Sequence, residues 1–376
     1  MSLFNVYPRF DIAIERGEGV YIYDQQGIKY LDLYGGHGVI SIGHSHPHYI
    51  QSIKNQLERI GFYSNSVQLP LQKELADKLA AISGYPCHNL FFCNSGAEAN
   101  ENALKLASFH TNKKKVIAFK GSFHGRTAAT LNVTDNPRLS APINQGNFDV
   151  DFIALNDEEA LITALETNTV CAVIIEGIQG VGGLDMATIG YFQFLEAACK
   201  KYKALLILDE IQAGYARTGR FFAHQHAGIT ADIITTAKGM GNGFPIAGVL
   251  INPEIEAKFG LLGTTFGGNH LACAAGIAVL DSIRDEKLME NVNIIHSFLI
   301  RELKLIPAIK NIKGLGLMLG IEFDFPIAKL RKELLEKHHI FTGASANPNL
   351  LRILPPLTIT QAEINPFLNS LKSLLA

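Results

Sequence analysis

The chain has 376 residues, 47% of them hydrophobic and 18% charged, with a formal net charge of -2. This balanced charge argues against nucleic acid or an acidic membrane as the main partner. The length exceeds what one hydrophobic core usually serves, so two domains are expected. The sequence contains no apolar run of membrane-spanning length and no signal-peptide core, and its 5 cysteines lack a C-x-x-C pair, so we expect a cytoplasmic protein.

The middle of the chain predicts an α/β fold. Short runs that are apolar throughout alternate there with helical patterns such as 191–202, and such runs are typical of strands buried on both faces. The runs are LFFC (90–93), VIAF (116–119), DFIAL (151–155), CAVII (171–175), ALLIL (204–208), DIITT (232–236) and AGVLI (247–251). This alternation indicates a mostly parallel sheet with helices on both sides.

The two ends of the chain predict a second, smaller domain. After about residue 275 the pattern changes, because a helix over 273–284 leads into a mixed region with short strands such as 317–323. The first 45 residues carry turn signals at 17–19 and 26–27 and are expected to join that region. We therefore predict a large domain over 46–275 and a small domain made of 1–45 and 276–376.

Polar residues follow several of the predicted strands. Asn94-Ser95-Gly96 comes after LFFC, Glu176 after CAVII, Asp209-Glu210 after ALLIL, and Lys238 after DIITTA. In an open α/β sheet, ligands bind at the carboxyl ends of the strands. A helix start, several carboxylates and one amine are therefore expected at one edge of the sheet.

Each of these features also has an ordinary structural explanation. Ser95 and Glu98 fit a capping box, although the N–H groups of Gly96 and Ala97 would also suit an anion. An aspartate after a strand, such as Asp209, often caps the next helix. A lysine after a strand is usually a solvated loop residue.

The combination is more informative than its members. Phe123 could be simple core, or its ring could lie flat on a planar cofactor while Arg126 binds a substrate carboxylate. A buried Asp209 carboxylate would be stabilised by a cationic ring nitrogen. An anion site, a ring nitrogen, a flat ring and an aldehyde that condenses with Lys238 together describe pyridoxal phosphate.

At this point a family resemblance is evident over essentially the full length. The chain resembles the class III pyridoxal-phosphate aminotransferases of the ornithine/acetylornithine type. The stretches that carry the resemblance are RGEG (16–19), GHSHP (43–47), NSGAEAN (94–100), FHGRT (123–127), LDEIQAGYARTG (208–219), TTAKGMGNGFP (235–245), TTFGGN (264–269) and LRILPP (351–356). The resemblance implies the aspartate aminotransferase fold (fold type I), with a mostly parallel seven-stranded sheet in the large domain and a smaller α+β domain.

The resemblance also implies roles for the cofactor-binding residues. Lys238 would hold pyridoxal 5'-phosphate covalently and move the proton between substrate and cofactor. Asp209 would keep the ring nitrogen protonated, so that the ring accepts electrons. The other implied contacts are Gln212 to the ring hydroxyl, Phe123 to the ring face, and Ser95, Gly96 and Ala97 to the phosphate.

Further implied roles concern the substrate and the assembly. Thr265 resembles a threonine donated to the phosphate of the neighbouring subunit, so a homodimer is expected. Arg352 resembles the residue that binds the α-carboxylate of glutamate. Arg126 would bind the distal carboxylate of glutamate and the carboxylate of the acylated ornithine. His37 is placed where relatives line the substrate pocket, so it would contact the acyl end, and a structural histidine in a turn is the open alternative.

These residues lead to a specific functional expectation. The compact length and the NVYPRF…RGEG…GGHGV frame favour the N-acylornithine branch, which transfers an amino group from N-acetylornithine or N-succinylornithine to 2-oxoglutarate in arginine biosynthesis. The acetyl and succinyl alternatives stay open. Within the family, ornithine δ-, γ-aminobutyrate and other ω-amino aminotransferases and the glutamate-semialdehyde aminomutase are competing interpretations.

One stretch departs from the family pattern. The usual E-P-I-Q-G-E-G-G is EGIQGVGG (176–183), so Gly177 replaces a proline and Val181 replaces a glutamate. In relatives that glutamate can pair with the arginine that matches Arg352. Without it, Arg352 needs another partner or stays open to carboxylates, and we expect weaker discrimination by this gating route, with a substrate bearing an extra carboxylate as one outcome.

Three interpretations outside the family have weaker support in the sequence. The alternating histidines of HSHPH (44–48) suit zinc in a metal-dependent hydrolase, but Pro47 interrupts a central strand and no acidic ligand stands at helix spacing, so no metal is expected. GLGLMLG (314–320) hints at a nicotinamide enzyme but lacks the strand–turn–helix frame. The Lys238 and Asp209 pair argues against a non-enzymatic relative.

Overall fold

The structure is a computed structural model that describes residues 1–144, 146 and 148–375. Its strands are β1 (Ile14–Glu18), β2 (Tyr21–Asp24), β3 (Lys29–Asp32), β4 (Asn89–Cys93), β5 (Lys115–Phe119), β6 (Val150–Ile153), β7 (Val170–Glu176), β8 (Leu205–Asp209), β9 (Ile233–Thr236), β10 (Ala247–Ile251), β11 (Asn311–Leu315), β12 (Met318–Glu322), β13 (Ile340–Phe341) and β14 (Leu350–Ile353). Its helices are α1 (Gly35–Gly38), α2 (Pro47–Arg59), α3 (Pro70–Ser83), α4 (Gly96–Thr111), α5 (Ala128–Asn132), α6 (Glu158–Glu166), α7 (Ile189–Tyr202), α8 (His270–Asp285), α9 (Leu288–Leu303), α10 (Ala328–His338) and α11 (Gln361–Leu375). Single 3-10 turns cover Pro137–Leu139, Pro142–Asn144, Ala223–His226 and Lys238–Met240.

The seven predicted apolar runs form one central sheet. Its strand order is β4-β10-β9-β8-β7-β5-β6. All neighbours pair in parallel except β10, which is antiparallel to both β4 and β9. The predicted mostly parallel seven-stranded sheet is therefore confirmed.

Both faces of this sheet are buried, as the continuous apolar runs predict. Successive side chains of a strand point to opposite faces. Val116 and Ala118 of β5 pack into one apolar cluster with α4, whereas Ile117 and Phe119 pack into another cluster that includes residues of α6 and α7. Every residue of β7 and β8 is buried, so these two strands end inside the protein rather than at its surface.

The ends of the chain come together outside the central sheet. Strands β1, β2 and β3 form an antiparallel sheet, and β13 adds to β3 in parallel through Ile340 and Phe341. Strands β11, β12 and β14 form a separate antiparallel sheet. Helix α8 continues through residue 275, so the division into domains at that residue stays a prediction.

A buried arginine joins these segments. Arg217 is 2% exposed and donates from its guanidinium to the carbonyl oxygens of Leu317, Pro355 and Ile40. Burial lowers the pKa of Arg217 to about 10, against the opposing effect of the Asp32 carboxylate. Because three chain segments meet on one side chain, Arg217 fixes the N-terminal segment relative to the C-terminal region.

Among the described residues, none of the helices combines the length and the hydropathy that a membrane-spanning segment requires.

Candidate active site

A cavity of about 430 Å³ opens at the carboxyl ends of β7, β8 and β9. Most of the predicted site residues line it, namely Ser95, Gly96, Ala97, Phe123, Arg126, Asp209, Gln212 and Lys238. The larger groove of about 920 Å³ lies at the opposite ends of the strands, beside Leu205 and Asp232. The smaller cavity is the candidate active site, because the strand-end amine and carboxylates converge only there.

Asp209 is held by a buried hydrogen-bond network. Its carboxylate is 4% exposed, and its Oδ2 accepts from Asn100 Nδ2 and lies 2.7 Å from His124 Nδ1. Asn100 also donates to the carbonyl oxygen of His124, and Thr235 Oγ1 donates to Asn100 Oδ1. Because the Asn100 amide and the backbone N–H of Ile211 donate to it and the His124 ring lies against it, this carboxylate is fixed in place.

Two members of this network were not assigned roles from the sequence. Asn100 lies within the quoted NSGAEAN stretch, and His124 follows Phe123 in FHGRT. Helical spacing from Gly96 brings Asn100 onto the sheet side of α4, where it is fully buried. The available signal was a polar residue one helical turn beyond a helix start that suits an anion. Such an amide, when buried, is nearly always hydrogen-bonded.

Lys238 begins the 3-10 turn after β9 and lines the cavity. Burial lowers the pKa of its amine, against the opposing effect of the Asp209 and Glu176 carboxylates. Within the described residues, its Nζ has no hydrogen bond or ion pair. A desolvated primary amine without a protein partner is suited to act as a nucleophile or a base.

Glu176 contributes a second buried acid at the end of β7. Its Oε1 accepts from the backbone N–H of Phe123 at 3.0 Å, and its Oε2 accepts from the N–H of Gly180 at 3.1 Å. Burial raises the pKa of Glu176 to about 7; the His124 ring opposes this shift and the Asp209 carboxylate adds to it. The sequence predicts Glu176 as a carboxylate at the end of a strand but does not indicate its role.

The start of α4 differs in detail from the predicted capping box. Ser95 Oγ accepts from the N–H of Glu98 at 3.2 Å, as a helix cap does. The Glu98 carboxylate, however, accepts from the backbone and side-chain nitrogens of Asn94 rather than from the N–H of Ser95. The N–H groups of Gly96 and Ala97 have no earlier helical carbonyl to bind, so this helix start faces the cavity with free donors.

Gly96 has a packing requirement as well. A Cβ atom added there would lie 2.9 Å from two carbon atoms of Ile211. Ile211 is held in turn by its N–H bond to Asp209 Oδ1 at 3.1 Å. The glycine therefore lets the start of α4 approach the loop that follows β8.

Hydrogen bonds beside the cavity link Gln212 to His37 and to Arg352. Gln212 Nε2 donates to the carbonyl oxygen of His37 at 2.9 Å, and its Oε1 accepts from Arg352 Nη1 at 3.4 Å. Arg352 is 3% exposed and also donates to the carbonyl oxygen of Gly180. Its Nε has no partner within the described residues. Burial lowers the pKa of Arg352, which lies over the Tyr34 ring at 6.0 Å.

The position that departs from the family pattern lies in the same wall. Val181 lines the cavity and is 39% exposed. No carboxylate lies within ion-pair distance of Arg352 among the described residues; its Nη1 donates instead to the carbonyl oxygen of Gly180 and the amide oxygen of Gln212. Neutral groups therefore accept the hydrogen bonds of Arg352, and it has no ion-pair partner among the described residues.

Three predicted residues are more exposed. Arg126 lines the cavity with an exposed side chain. His37 does not line it; its ring lies 4.7 Å from the Tyr34 ring, and partial burial together with the charges of Arg352 and Lys238 lowers its pKa. Thr265 is exposed and is not among the residues that line the cavity of its own chain.

The alternative interpretations find no support in the geometry. The three histidines of HSHPH contact different acids: His44 lies 2.8 Å from Asp32, His46 lies 2.7 Å from Glu286, and His48 lies 4.0 Å from Asp281. No group of side chains suited to a metal ion occurs in the described part of the chain. GLGLMLG forms the β11–β12 hairpin rather than a strand–turn–helix unit.

The donor set fits pyridoxal phosphate. The unpaired amine of Lys238 can hold an aldehyde, the Asp209 carboxylate can bind a protonated ring nitrogen, and the start of α4 can bind a phosphate. Phe123 supplies an aromatic surface in the same cavity. These four requirements are met within one cavity by residues of one chain.

Comparison with known proteins agrees with this geometry. The family model "Aminotransferase class-III" matches residues 5–375. The acetylornithine aminotransferase of Bacillus subtilis (strain 168) is 41% identical, covering 100% of this chain and 98% of the relative, and that of Archaeoglobus fulgidus is 40% identical, covering 96% and 95%. A crystal structure of the Toxoplasma gondii ornithine aminotransferase, with pyridoxal phosphate at partial occupancy in its active site, matches at a TM-score of 0.89 and 29% identity over 97% of this chain and 90% of that one. The chain therefore belongs to the class III aminotransferases and uses pyridoxal phosphate as its cofactor.

Proposed function

We propose that the chain is an N-acyl-L-ornithine aminotransferase of arginine biosynthesis, with N-acetylornithine as its amino donor and 2-oxoglutarate as its amino acceptor. The products are the N-acylglutamate semialdehyde and glutamate. The observation that carries the proposal is the full-length similarity, at 38–41% identity, to proteins named acetylornithine aminotransferase. The unpaired amine of Lys238 beside the Asp209 network gives this similarity its chemical basis.

The cofactor supplies an aldehyde that binds amino groups and a ring that accepts electrons. In the proposal, Lys238 holds the cofactor and then moves a proton on its Nζ, which its lowered pKa favours. Asp209 keeps the ring nitrogen protonated, and the Asn100 and His124 contacts keep that carboxylate in place. The N–H groups of Gly96 and Ala97, with Ser95, bind the phosphate.

Further residues position the ring and the substrate. Phe123 would cover the ring face. The Gln212 amide, which contacts His37 and Arg352, would bind the ring hydroxyl. The uncompensated Arg352 guanidinium binds one substrate carboxylate, because an incoming anion offsets the cost of burying this charge. Arg126, exposed at the cavity, binds the other carboxylate.

The proposal includes the assembly and the location. We infer a cytoplasmic homodimer in which Thr265 of each subunit reaches the phosphate site of the other. Thr265 is exposed on its own chain and is followed by Phe266, whose ring is 59% exposed and lies 5.5 Å from that of Phe62. An exposed aromatic pair beside the threonine is typical of an interface.

The proposal also includes the division of the chain into a large domain over 46–275 and a small domain made of 1–45 and 276–376.

A half-reaction panel tests the activity. Purified enzyme with bound cofactor is mixed separately with N-acetylornithine, N-succinylornithine, ornithine and γ-aminobutyrate, and the change in cofactor absorbance is followed. We expect the largest kcat/KM for an N-acylornithine, with turnover in the presence of 2-oxoglutarate. A preference for free ornithine or γ-aminobutyrate would assign the chain to one of the competing activities of the same family.

A second experiment tests the site itself. Borohydride reduction of the holoenzyme, followed by peptide mapping, is expected to place the cofactor on the peptide that contains Lys238. A folded, cofactor-supplied preparation in which that lysine stays unmodified would refute the assignment.

A further inference from the structure

The turn that carries Lys238 has an unusual backbone. Lys238 has a φ of +43° and Asn242 a φ of +46°, in the left-handed region that side chains other than glycine rarely adopt. Such residues persist only where the surrounding structure holds them in place, and they concentrate at functional sites. We therefore expect specific contacts to hold this turn.

A single segment from the N-terminal part of the chain binds the turn at several points. Asn242 Oδ1 accepts from the backbone N–H groups of Ser41 at 2.8 Å and Ile42 at 3.1 Å, and its Nδ2 donates to the carbonyl oxygen of Gly43 at 2.9 Å. One side chain thus uses both its acceptor and its donor on three consecutive residues. Asn242 is 6% exposed and Ser41 is 1% exposed, so water does not compete for these bonds.

Two more hydrogen bonds reach the residues between Lys238 and Asn242. Ser41 Oγ donates to the carbonyl oxygen of Gly239 at 2.8 Å, and Tyr49 Oη donates to that of Gly241 at 2.8 Å. Gly241 itself admits no side chain, because a Cβ atom there would lie 2.1 Å from the carbonyl oxygen of Phe244. The residues that follow the lysine are therefore held from one side by segment 41–49.

The Lys238 side chain depends on this support. Its amine has no hydrogen-bond or ion-pair partner among the described residues, so among the groups of the protein itself the backbone of the turn and the cavity wall determine where Nζ lies. We propose that Asn242, assisted by Ser41, is a positioning residue for Lys238: it holds the turn so that the amine stays aligned with the reacting atoms. This inference rests on the proposed role of Lys238 and adds a residue that acts on it from outside the cavity.

The size of the expected effect follows from the chemistry. Misplacing a catalytic group by ~1 Å can lower the rate ~10²-fold, because the proton transfer requires a near-attack geometry. Substrate binding depends on other residues, so kcat should change more than KM. The environment of the amine should change as well, and the pH dependence of the cofactor absorbance reports on it directly.

The test compares Asn242→Gly with a matched control. Glycine tolerates the left-handed backbone, so N242G removes the amide without adding strain. Asn156 offers the same chemistry elsewhere: its φ is +68°, and its Oδ1 accepts from the backbone N–H of Thr188 at 2.8 Å. N156G therefore removes a contact of the same type, a single and exposed one, from a loop that does not line the cavity. Ser41→Ala, which deletes only the hydroxyl bond to Gly239, provides a milder variant.

The holoenzymes are compared by kcat, KM, the pKa of the visible absorbance band, and melting temperature. For N242G we expect kcat to fall at least ~10-fold, KM to stay within about threefold, and the spectroscopic pKa to shift by about 0.5 or more. S41A should move the same quantities in the same direction by less. N156G should lower the melting temperature without moving kcat or the spectroscopic pKa.

The outcomes are separable. If N242G keeps the wild-type kcat and spectroscopic pKa, or if N156G changes both to the same extent, Asn242 has no positioning role. If N242G does not fold, S41A decides by the same two readouts. Failure of borohydride to label Lys238 in the wild type would instead refute the proposed function, independently of the variants.

Discussion

The pH dependence of stability should report the burial of Glu176. Opposing effects act on this side chain. Burial and the nearby Asp209 favour the neutral acid. The His124 ring and the N–H groups of Phe123 and Gly180 favour the carboxylate. Burial dominates, because it raises the pKa of Glu176 from 4.5 to about 7. The folded protein therefore binds a proton that the unfolded chain releases between these two pH values.

The sign and the magnitude follow from this difference. An acid whose pKa is raised by folding stabilises the protein fully below pH 4.5, and this contribution is lost as the pH rises to about 7. One pH unit corresponds to about 1.4 kcal/mol, so the whole window corresponds to about 3 kcal/mol of unfolding free energy. Glu176→Gln removes this titration. It also disturbs a hydrogen bond from the N–H of Phe123 or Gly180, but the free energy of that bond is the same at every pH.

Urea unfolding of the cofactor-free protein at pH 5 and pH 8 measures the effect. Wild type should lose about 2.5 kcal/mol more than E176Q between these two pH values, because pH 5 already lies inside the window. Because the chain has no tryptophan, circular dichroism and tyrosine fluorescence are the probes, and their transitions must coincide for a two-state analysis. Glu58→Gln, on the exposed side of α2, controls for the change in net charge. Parallel pH profiles for wild type and E176Q would show that Glu176 is ionised in the folded protein at both pH values.

Three further predictions concern single side chains. Asp209→Asn should lower kcat about 10²–10³-fold in the holoenzyme, because the ring charge loses its counter-ion; steady-state kinetics near wild type would contradict this. Arg217→Met should lower the unfolding free energy by about 3–5 kcal/mol, measured as a lower urea midpoint, since the buried carbonyl oxygens of residues 40, 317 and 355 lose their donor. Val181→Glu should place an anion near Arg352 and raise KM for 2-oxoglutarate about tenfold. It should also change the relative kcat/KM for substrates with neutral and carboxylated acyl groups. An unchanged ratio would show that residue 181 does not influence substrate discrimination through Arg352.

The comparison with relatives gives Val181 its interest. The chain matches an acetylornithine aminotransferase over its whole length, and it carries Val181 where the resemblance leads us to expect a glutamate. The structure shows how the site is built without it: the Gly180 carbonyl and the Gln212 amide serve Arg352 instead. Because no carboxylate among the described residues forms an ion pair with Arg352, we expect this arginine to be available to a substrate carboxylate.

The sequence by itself determined the fold class and the family. The seven apolar runs predicted the central sheet to within two residues at each end, because strands buried on both faces must be apolar throughout. The strand-end residues Asp209 and Lys238 could be placed at one edge for a related reason, since parallel strands present their carboxyl ends together. The quoted motifs then identified the aminotransferase family, and the full-length match confirms it.

Only the tertiary structure decided how the site is supported. Asn100 and His124 converge on Asp209 from a helix and a loop that are distant in sequence, and Asn242 meets Ser41 across 201 residues. Hydrogen bonds of this kind have no local pattern, because they depend on which buried donors and acceptors the packed chain brings within 3 Å of one another. For the same reason the partners of the HSHPH histidines and of Arg352 could not be read from spacing. Local residue types specify the elements and the chemistry, whereas packing selects the partners.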